Sequence, residues 1–338
     1  MKKLLFPFLV FICFYGYSQK NIEVTKDILW ASPEGFDLTM DIYHVPETAK
    51  PLPVLIIFHG GGWLINNKSI MDEMAAYVAE NGDYVVCNVN YRLLGDQENT
   101  VTINEIIEDA LGAVIWINEH ISEYGGNPDM MAVTGDSAGG HLAESVVLFN
   151  DDLSENRFKV KMATQKLGYL PSYLPKGVSA QEAQEQELAK VETAVISYGA
   201  FDLYAAAQGG FEKDANFLWQ MGGAKARPLF GEGTSVEKNP AFYKAVSPFY
   251  NVPQAIERQL PPQFFTVGSK DNTTTPQSIK AYVEKLNQAG QETEFWMYEG
   301  RPHAFLDSGA NEFLGTSFKK DAPEALDLMI EFLDKHLD

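Results

Sequence analysis

Basic residues are scarce in this chain. Lys and Arg total 26 against 46 Asp and Glu, a formal net charge of −20 over 338 residues. A field of that sign repels phosphate backbones and excludes nucleic-acid binding. Cysteine is nearly absent, with only Cys13 and Cys87, so no disulfide framework is available. Long apolar runs are missing too: the longest, Leu4–Tyr15, holds about a dozen residues and includes Pro7, short of the ~20 that span a bilayer. There is no internal repeat, low-complexity tract or linker. With 45% hydrophobic and 21% charged residues, the composition is that of a globular chain with a sizeable core.

What is present begins with an export pattern. Met1-Lys2-Lys3, the run Leu4–Tyr15 and then Gly16-Tyr17-Ser18 read as a secretory signal peptide over residues 1–18, cleaved after Ser18. Lipidation is disfavoured because Cys13 follows Ile12 rather than a small residue. The expectation is a secreted protein, periplasmic or extracellular, of residues 19–338, with no membrane segment after cleavage. Cys87 is then the only cysteine, in the apolar run Tyr84-Val85-Val86-Cys87, and reads as a buried, inert thiol.

Short β-branched and aromatic runs alternate with helical patterns, which predicts an α/β fold: a mostly parallel sheet of about eight strands with helices on both faces. Residues 21–31 and 36–44 alternate in polarity around Ser32-Pro33-Glu34-Gly35 and predict an antiparallel edge hairpin. Strands are expected at 53–58, 84–90, 130–134, 193–197, 263–267 and 294–298. Helices are expected at 69–81, 102–123, 137–150, 276–289 and 323–337. A polar insertion at about 151–190 reads as a surface excursion, and 200–251 as a lid-like one, all within one domain.

Gly135-Asp136-Ser137-Ala138-Gly139 lies between a predicted strand and a predicted helix, the context in which G-x-S-x-G makes a sharp turn and lifts a serine hydroxyl out of a sheet. By chance the bare pattern occurs in roughly one chain in ten of this length, so the context carries the reading. A serine needs a base with a pKa near 7. Of the six histidines, His303 alone follows the serine on a loop at the carboxyl edge of the sheet, after the strand at 294–298. Asp271, in the loop after the strand at 263–267, is the expected orienting carboxylate. Asp202 and Glu299 compete with it, and Asp202 reads better as a helix cap. His59-Gly60-Gly61-Gly62-Trp63 follows the strand at 53–58. Its consecutive glycines turn backbone N–H groups toward a ligand, so Gly61, Gly62 and Ala138 are the candidate oxyanion donors. No Lys-Ser/Thr pair or G-x-G-x-x-G accompanies them, which excludes a phosphate loop.

The glycine motif together with Gly135-Asp136-Ser137-Ala138-Gly139-Gly140 resembles the hormone-sensitive-lipase-like branch of the α/β-hydrolase esterases. The similarity runs over about residues 22–337, through Tyr91-Arg92-Leu93, Glu108-Asp109-Ala110 with Trp116, and Tyr124-Gly125-Gly126-Asn127-Pro128. The resemblance implies Ser137 as nucleophile, His303 as acid/base, Asp271 as its partner, and a structural role for His59. Two departures stand out: Leu94-Gly95-Asp96 after Tyr91-Arg92-Leu93, where many members have Ala-Pro-Glu, and Ala304 where glycine usually follows the histidine.

The expected chemistry is two-step acyl transfer on a small ester or an acylated polysaccharide, with no metal and no organic cofactor. Exported proteins of this resemblance commonly remove acetyl or feruloyl groups from plant polysaccharides. Trp63, Phe201, Tyr204, Phe217 and Trp219 are candidate substrate contacts, because aromatic rings stack on sugars, with core packing as the competing role. A formamidase or exopeptidase on the same triad, or a non-catalytic binding protein on this scaffold, remains an alternative.

Overall fold

In the computed structural model, residues 20–154 and 168–337 are described; the expected signal peptide and residues 155–167 lie outside them. Eight strands form one sheet: β1 (Glu23–Ala31), β2 (Leu38–His44), β3 (Leu52–Phe58), β4 (Val85–Val89), β5 (Gly126–Asp136), β6 (Thr193–Ser197), β7 (Gln263–Gly268) and β8 (Thr293–Tyr298). Their order is β1-β2-β4-β3-β5-β6-β7-β8. The β1–β2 hairpin is antiparallel and at one edge, as its alternation predicts; β3 to β8 are all parallel. Val54 to Phe58 are wholly buried, because a parallel strand with helices on both faces has no wet side. Among the described residues Cys87 is a buried free thiol on β4, and burial holds its pKa far above the ordinary thiol range.

The principal helices are α1 (Asp72–Asn81), α2 (Ile103–His120), α3 (Ala138–Phe149), α4 (Phe217–Met221), α5 (Pro276–Gln288) and α6 (Pro323–Leu337). The start of α2 is fixed by a capping box, in which Glu105 accepts from the Thr102 amide at 2.6 Å. Both α3 and α6 lie on β5 and β6, yet α3 packs against α2 and α6 against α1. They therefore cover opposite faces. Because β3 runs between β4 and β5, the carboxyl ends of β3, β5, β7 and β8 gather along one edge, where an open α/β sheet presents its site.

Two expectations are corrected, and one small hairpin is new. The strand expected at 130–134 runs from Gly126 to Asp136, since Leu52 of β3 pairs with Gly126. A small hairpin, β9 (Ala310–Asn311) with β10 (Thr316–Ser317), follows the His303 loop unforeseen. The described part of the polar insertion is not a plain surface excursion. Tyr169 is fully buried and stacked on Phe149 at 4.6 Å, and the amides of Leu170 and Ser172 donate to Glu108 on α2. Tyr173 crosses so near Gly112 that a side chain there would lie 2.7 Å from its amide.

Candidate active site

Ser137 sits on the turn between β5 and α3 with φ 53° and ψ −114°, a strained conformation for a residue with a side chain. The turn is over-determined. The Ser137 amide donates to Ser197 O at 3.0 Å, and Ser137 O accepts from Ala200 at 3.1 Å and His141 at 3.1 Å. A Cβ on Gly139 would run into the Phe58 carbonyl, so the glycine is what lets α3 approach the end of β3.

The structure brings Ser137, His303 and Asp271 together. His303 Nε2 lies 3.0 Å from Ser137 Oγ, and Nδ1 lies 2.7 Å from Asp271 Oδ2. Asp271 is 2% exposed, and its other oxygen accepts the Thr273 and Thr274 amides at 2.8 and 3.0 Å. Thr274 was not legible beforehand. Its hydroxyl lies 2.7 Å from Tyr198 O, and 3.2 Å from both Asp271 Oδ2 and His303 Nδ1. Tyr198 was also missed; its ring meets the His303 ring edge to face at 4.8 Å. Asp202 instead caps the short helix Leu203–Gln208, accepting the Ala205 amide at 2.8 Å, and Glu299 is exposed.

The glycine loop after β3 is braced from three sides. Burial lowers His59 to about 4, so the ring is neutral, and its Nδ1 is 2.7 Å from Gly60 O. Tyr91 stacks on it at 4.3 Å and donates its hydroxyl to His59 O at 2.5 Å. Tyr91 is anchored by its neighbour Arg92, whose guanidinium forms a buried fork with Asp109 on α2 at 2.8–3.2 Å. Asp136 accepts the Gly60 amide at 2.7 Å, tying the loop to the serine turn. The amides of Gly61, Gly62 and Ala138 donate to no partner among the described residues; that of Ala138 is an orphan of the α3 N-terminus.

The aromatic candidates divide. Trp63, Phe201 and Trp219 are 3%, 5% and 1% exposed and are core packing rather than substrate contacts. Trp63 packs edge-on against His141 and Phe211, Phe201 stacks on Tyr282 at 4.1 Å, and Trp219 donates to Phe211 O at 2.7 Å. Tyr204 is half-buried between Tyr250 and Lys244. Phe217 is 58% exposed, beside Met221 at 63%. Between them Leu218 was not foreseen; a Cβ on Gly62 would lie 2.6 Å from its Cδ1. The excursion at 200–251 thus lies against the glycine loop. No cluster of three His, Cys, Asp or Glu side chains suited to a metal occurs among the described residues, and no described helix is long and apolar enough to cross a membrane.

A buried carboxylate, an imidazole and a serine hydroxyl in hydrogen-bonded series, beside free amides, can move a proton and hold a developing oxyanion. Comparisons with known proteins agree in kind. Esterase LipQ of Mycobacterium tuberculosis is 28% identical over 298 residues, covering 87% of this chain and 60% of LipQ. Carboxylesterase NlhH of the same organism is 34% identical over 107 residues, 32% of each chain. The chain thus spans less than two thirds of the length of LipQ and about a third of that of NlhH. Esterase 2 of Thermogutta terrifontis superposes with a TM-score of 0.63 at 22% identity, covering 95% of this chain and 97% of that one, which establishes the α/β-hydrolase fold. The BD-FAE family matches residues 40–286, nearly three quarters of the sequence, and this chain belongs to that family.

Proposed function

We propose that the protein is an exported serine esterase that cleaves short-chain acyl or aryl esters, acetyl or feruloyl groups on plant polysaccharide being its substrates. The observation that carries the reading is the unbroken series Ser137–His303–Asp271 at 3.0 and 2.7 Å. A binding protein on this scaffold has no need to retain it. Ser137 Oγ attacks the ester carbonyl while His303 Nε2 takes its proton, and Asp271 stabilises the imidazolium from Nδ1. The oxyanion is held by the amides of Gly61, Gly62 and Ala138, with the positive end of α3 behind the last. His303 then protonates the leaving alcohol, and a water deprotonated by His303 releases the acid from Ser137.

The family supports the substrate class, since BD-FAE denotes bifunctional feruloyl and acetyl xylan esterases. Structures of Thermogutta terrifontis esterase 2 with propionate and with butyrate bound, TM-score 0.59 in each case, support a short acyl group. The exposed Phe217–Met221 rim beside the glycine loop suits a flat sugar or aryl group. The lysines and apolar run of residues 2–15 support export.

The test is hydrolysis of p-nitrophenyl esters from acetate to decanoate by residues 19–338, beside Ser137→Ala, followed by acetylated xylan and feruloylated arabinoxylan. Fastest turnover of acetate with an inactive variant is the expected result. A decanoate preference overturns the short-acyl reading. Equal rates for wild type and variant on every ester overturn the esterase reading and leave an amidase or a binding protein.

A further inference from the structure

Asp271 and His303 reach the serine on separate loops, residues 268–272 after β7 and 299–303 after β8, and the two loops are bonded to each other. The strands pair as far as Gly268 and Tyr298. Beyond that point the Ser269 amide donates to Tyr298 O at 2.9 Å, the Gly300 amide to Ser269 Oγ at 2.8 Å, and the Lys270 amide to Arg301 O at 2.9 Å. The Arg301 carbonyl passes so close to Gly268 that a Cβ there would run into it. Where this carbonyl sits therefore sets the residue before Asp271 and, two positions on, His303 itself.

The His303 loop is also strained. Ala304 has φ 60°, the left-handed region that a residue with a side chain seldom adopts, and such a bend persists only when its surroundings over-determine it. Downstream it is held by the main chain: the Leu306 amide donates to the Tyr198 hydroxyl at 3.2 Å, that of Ser308 to Ile70 O at 2.8 Å, and that of Gly309 to Glu73 Oε2 at 2.8 Å. Upstream the hold is the Arg301 side chain. Its guanidinium carbon lies 4.7 Å from the centre of the Tyr298 ring, and its Nε lies 3.0 Å from Asp321 Oδ1, an ion pair rather than an aligned hydrogen bond. Asp321, 2% exposed, ends the helical turn Phe318–Asp321 ahead of α6. Its other oxygen accepts the Ser317 amide of β10 at 2.8 Å, so the unforeseen hairpin steadies the post to which Arg301 is tied. Among the described residues Arg301 is the only ion-pair partner of this buried carboxylate, which makes the pair costly to break from either side.

We propose that Arg301 is a positioning residue: paired with Asp321 and stacked on Tyr298, it fixes the carbonyl that joins the Asp271 and His303 loops and the bend that aims His303 at Ser137. The catalytic part of this proposal rests on the esterase reading above.

Arg301→Met removes the guanidinium, Arg301→Lys keeps a charge for Asp321 without the planar stack, and Asp321→Asn keeps an oxygen for the Ser317 amide while turning an NH2 toward Arg301. The readouts are kcat and KM on p-nitrophenyl acetate well below each Tm, and hydrogen exchange of the Lys270 amide. In Arg301→Met and in Asp321→Asn, kcat is expected to fall about tenfold with KM within about twofold of wild type, and Lys270 to exchange faster. Arg301→Lys recovers part of the loss. The double variant Arg301→Met/Asp321→Asn is no slower than the slower single variant, because both act through one contact. A wild-type kcat in Arg301→Met, or losses that multiply in the double variant, overturns the proposal. If Arg301→Met does not fold, Asp321→Asn decides: wild-type kcat and wild-type exchange at Lys270 overturn it. Exchange needs no substrate, so a wild type inactive on esters defeats the esterase reading and leaves the hold of Arg301 on the two loops separately testable.

Discussion

Arg92→Met tests the brace behind the glycine loop. Methionine retains much of the aliphatic stem and removes the guanidinium, so Asp109, wholly buried, loses its Nε and Nη2 donors at 2.9 and 2.8 Å. It keeps the Arg92 amide at 3.0 Å and the Ser172 hydroxyl. At about 1.5–3 kcal/mol per hydrogen bond to a charged group the loss is about 3–6 kcal/mol, and breaking a buried pair from one side costs about 3–5 kcal/mol. Taking ~4 kcal/mol, with unfolding entropy of roughly 0.7 kcal/mol/K for a chain of this length, Tm falls by about 6 °C. The double variant Arg92→Met/Asp109→Leu leaves no uncompensated charge and recovers most of that, a coupling of about 3 kcal/mol. Activity of the single variant falls as well, because Tyr91 no longer holds His59 and the Gly60 carbonyl in place. Thermal and urea unfolding of the four proteins measures the cycle. A single variant within 1 °C of wild type, or a double variant as unstable as the two singles summed, refutes the reasoning.

Other outcomes follow from the same contacts. Thr274→Val removes the hydroxyl shared by Asp271, His303 and Tyr198 O; kcat on p-nitrophenyl acetate should fall about tenfold with KM little changed, and an unchanged kcat would show that Asp271 alone orients the imidazole. Gly139→Ala drives a Cβ into the Phe58 carbonyl and should destabilise by at least about 4 kcal/mol, seen as loss of soluble protein; a normal Tm would contradict the packing of α3 on β3. Glu144 on α3, buried with the Tyr282 hydroxyl at 2.5 Å, is raised to about 8 by burial. The folded state thus keeps a proton that the unfolded chain releases above about 4.5. The stability this group contributes is full below that pH and is lost as pH rises toward 8. Glu144→Gln should flatten the stability profile between pH 5 and 8, and a profile parallel to wild type would count against a protonated Glu144.

The sequence by itself determined the eight strands of the main sheet, apart from where β5 begins, their mostly parallel arrangement and the turn that carries Ser137. Each of these is written in neighbouring residues: Val54 to Phe58 as a run with no polar face, and Gly135 to Gly139 as a turn that only glycines permit. His303 and Asp271 were legible one step further, because chain order in this architecture leaves one histidine and one favoured acid on loops at the correct sheet edge. The tertiary structure alone decided the rest. Trp63, Phe201 and Trp219 were as plausible for a substrate wall as Phe217 until packing buried three and left the fourth exposed. Thr274 and Tyr198 carry no local signal; they reach His303 only because β6, β7 and β8 lie side by side. The Gly60–Asp136 contact and the Arg92–Asp109 fork join residues on different elements. Whether such groups meet, and how deeply they are buried, is a property of the folded molecule rather than of the residues in order.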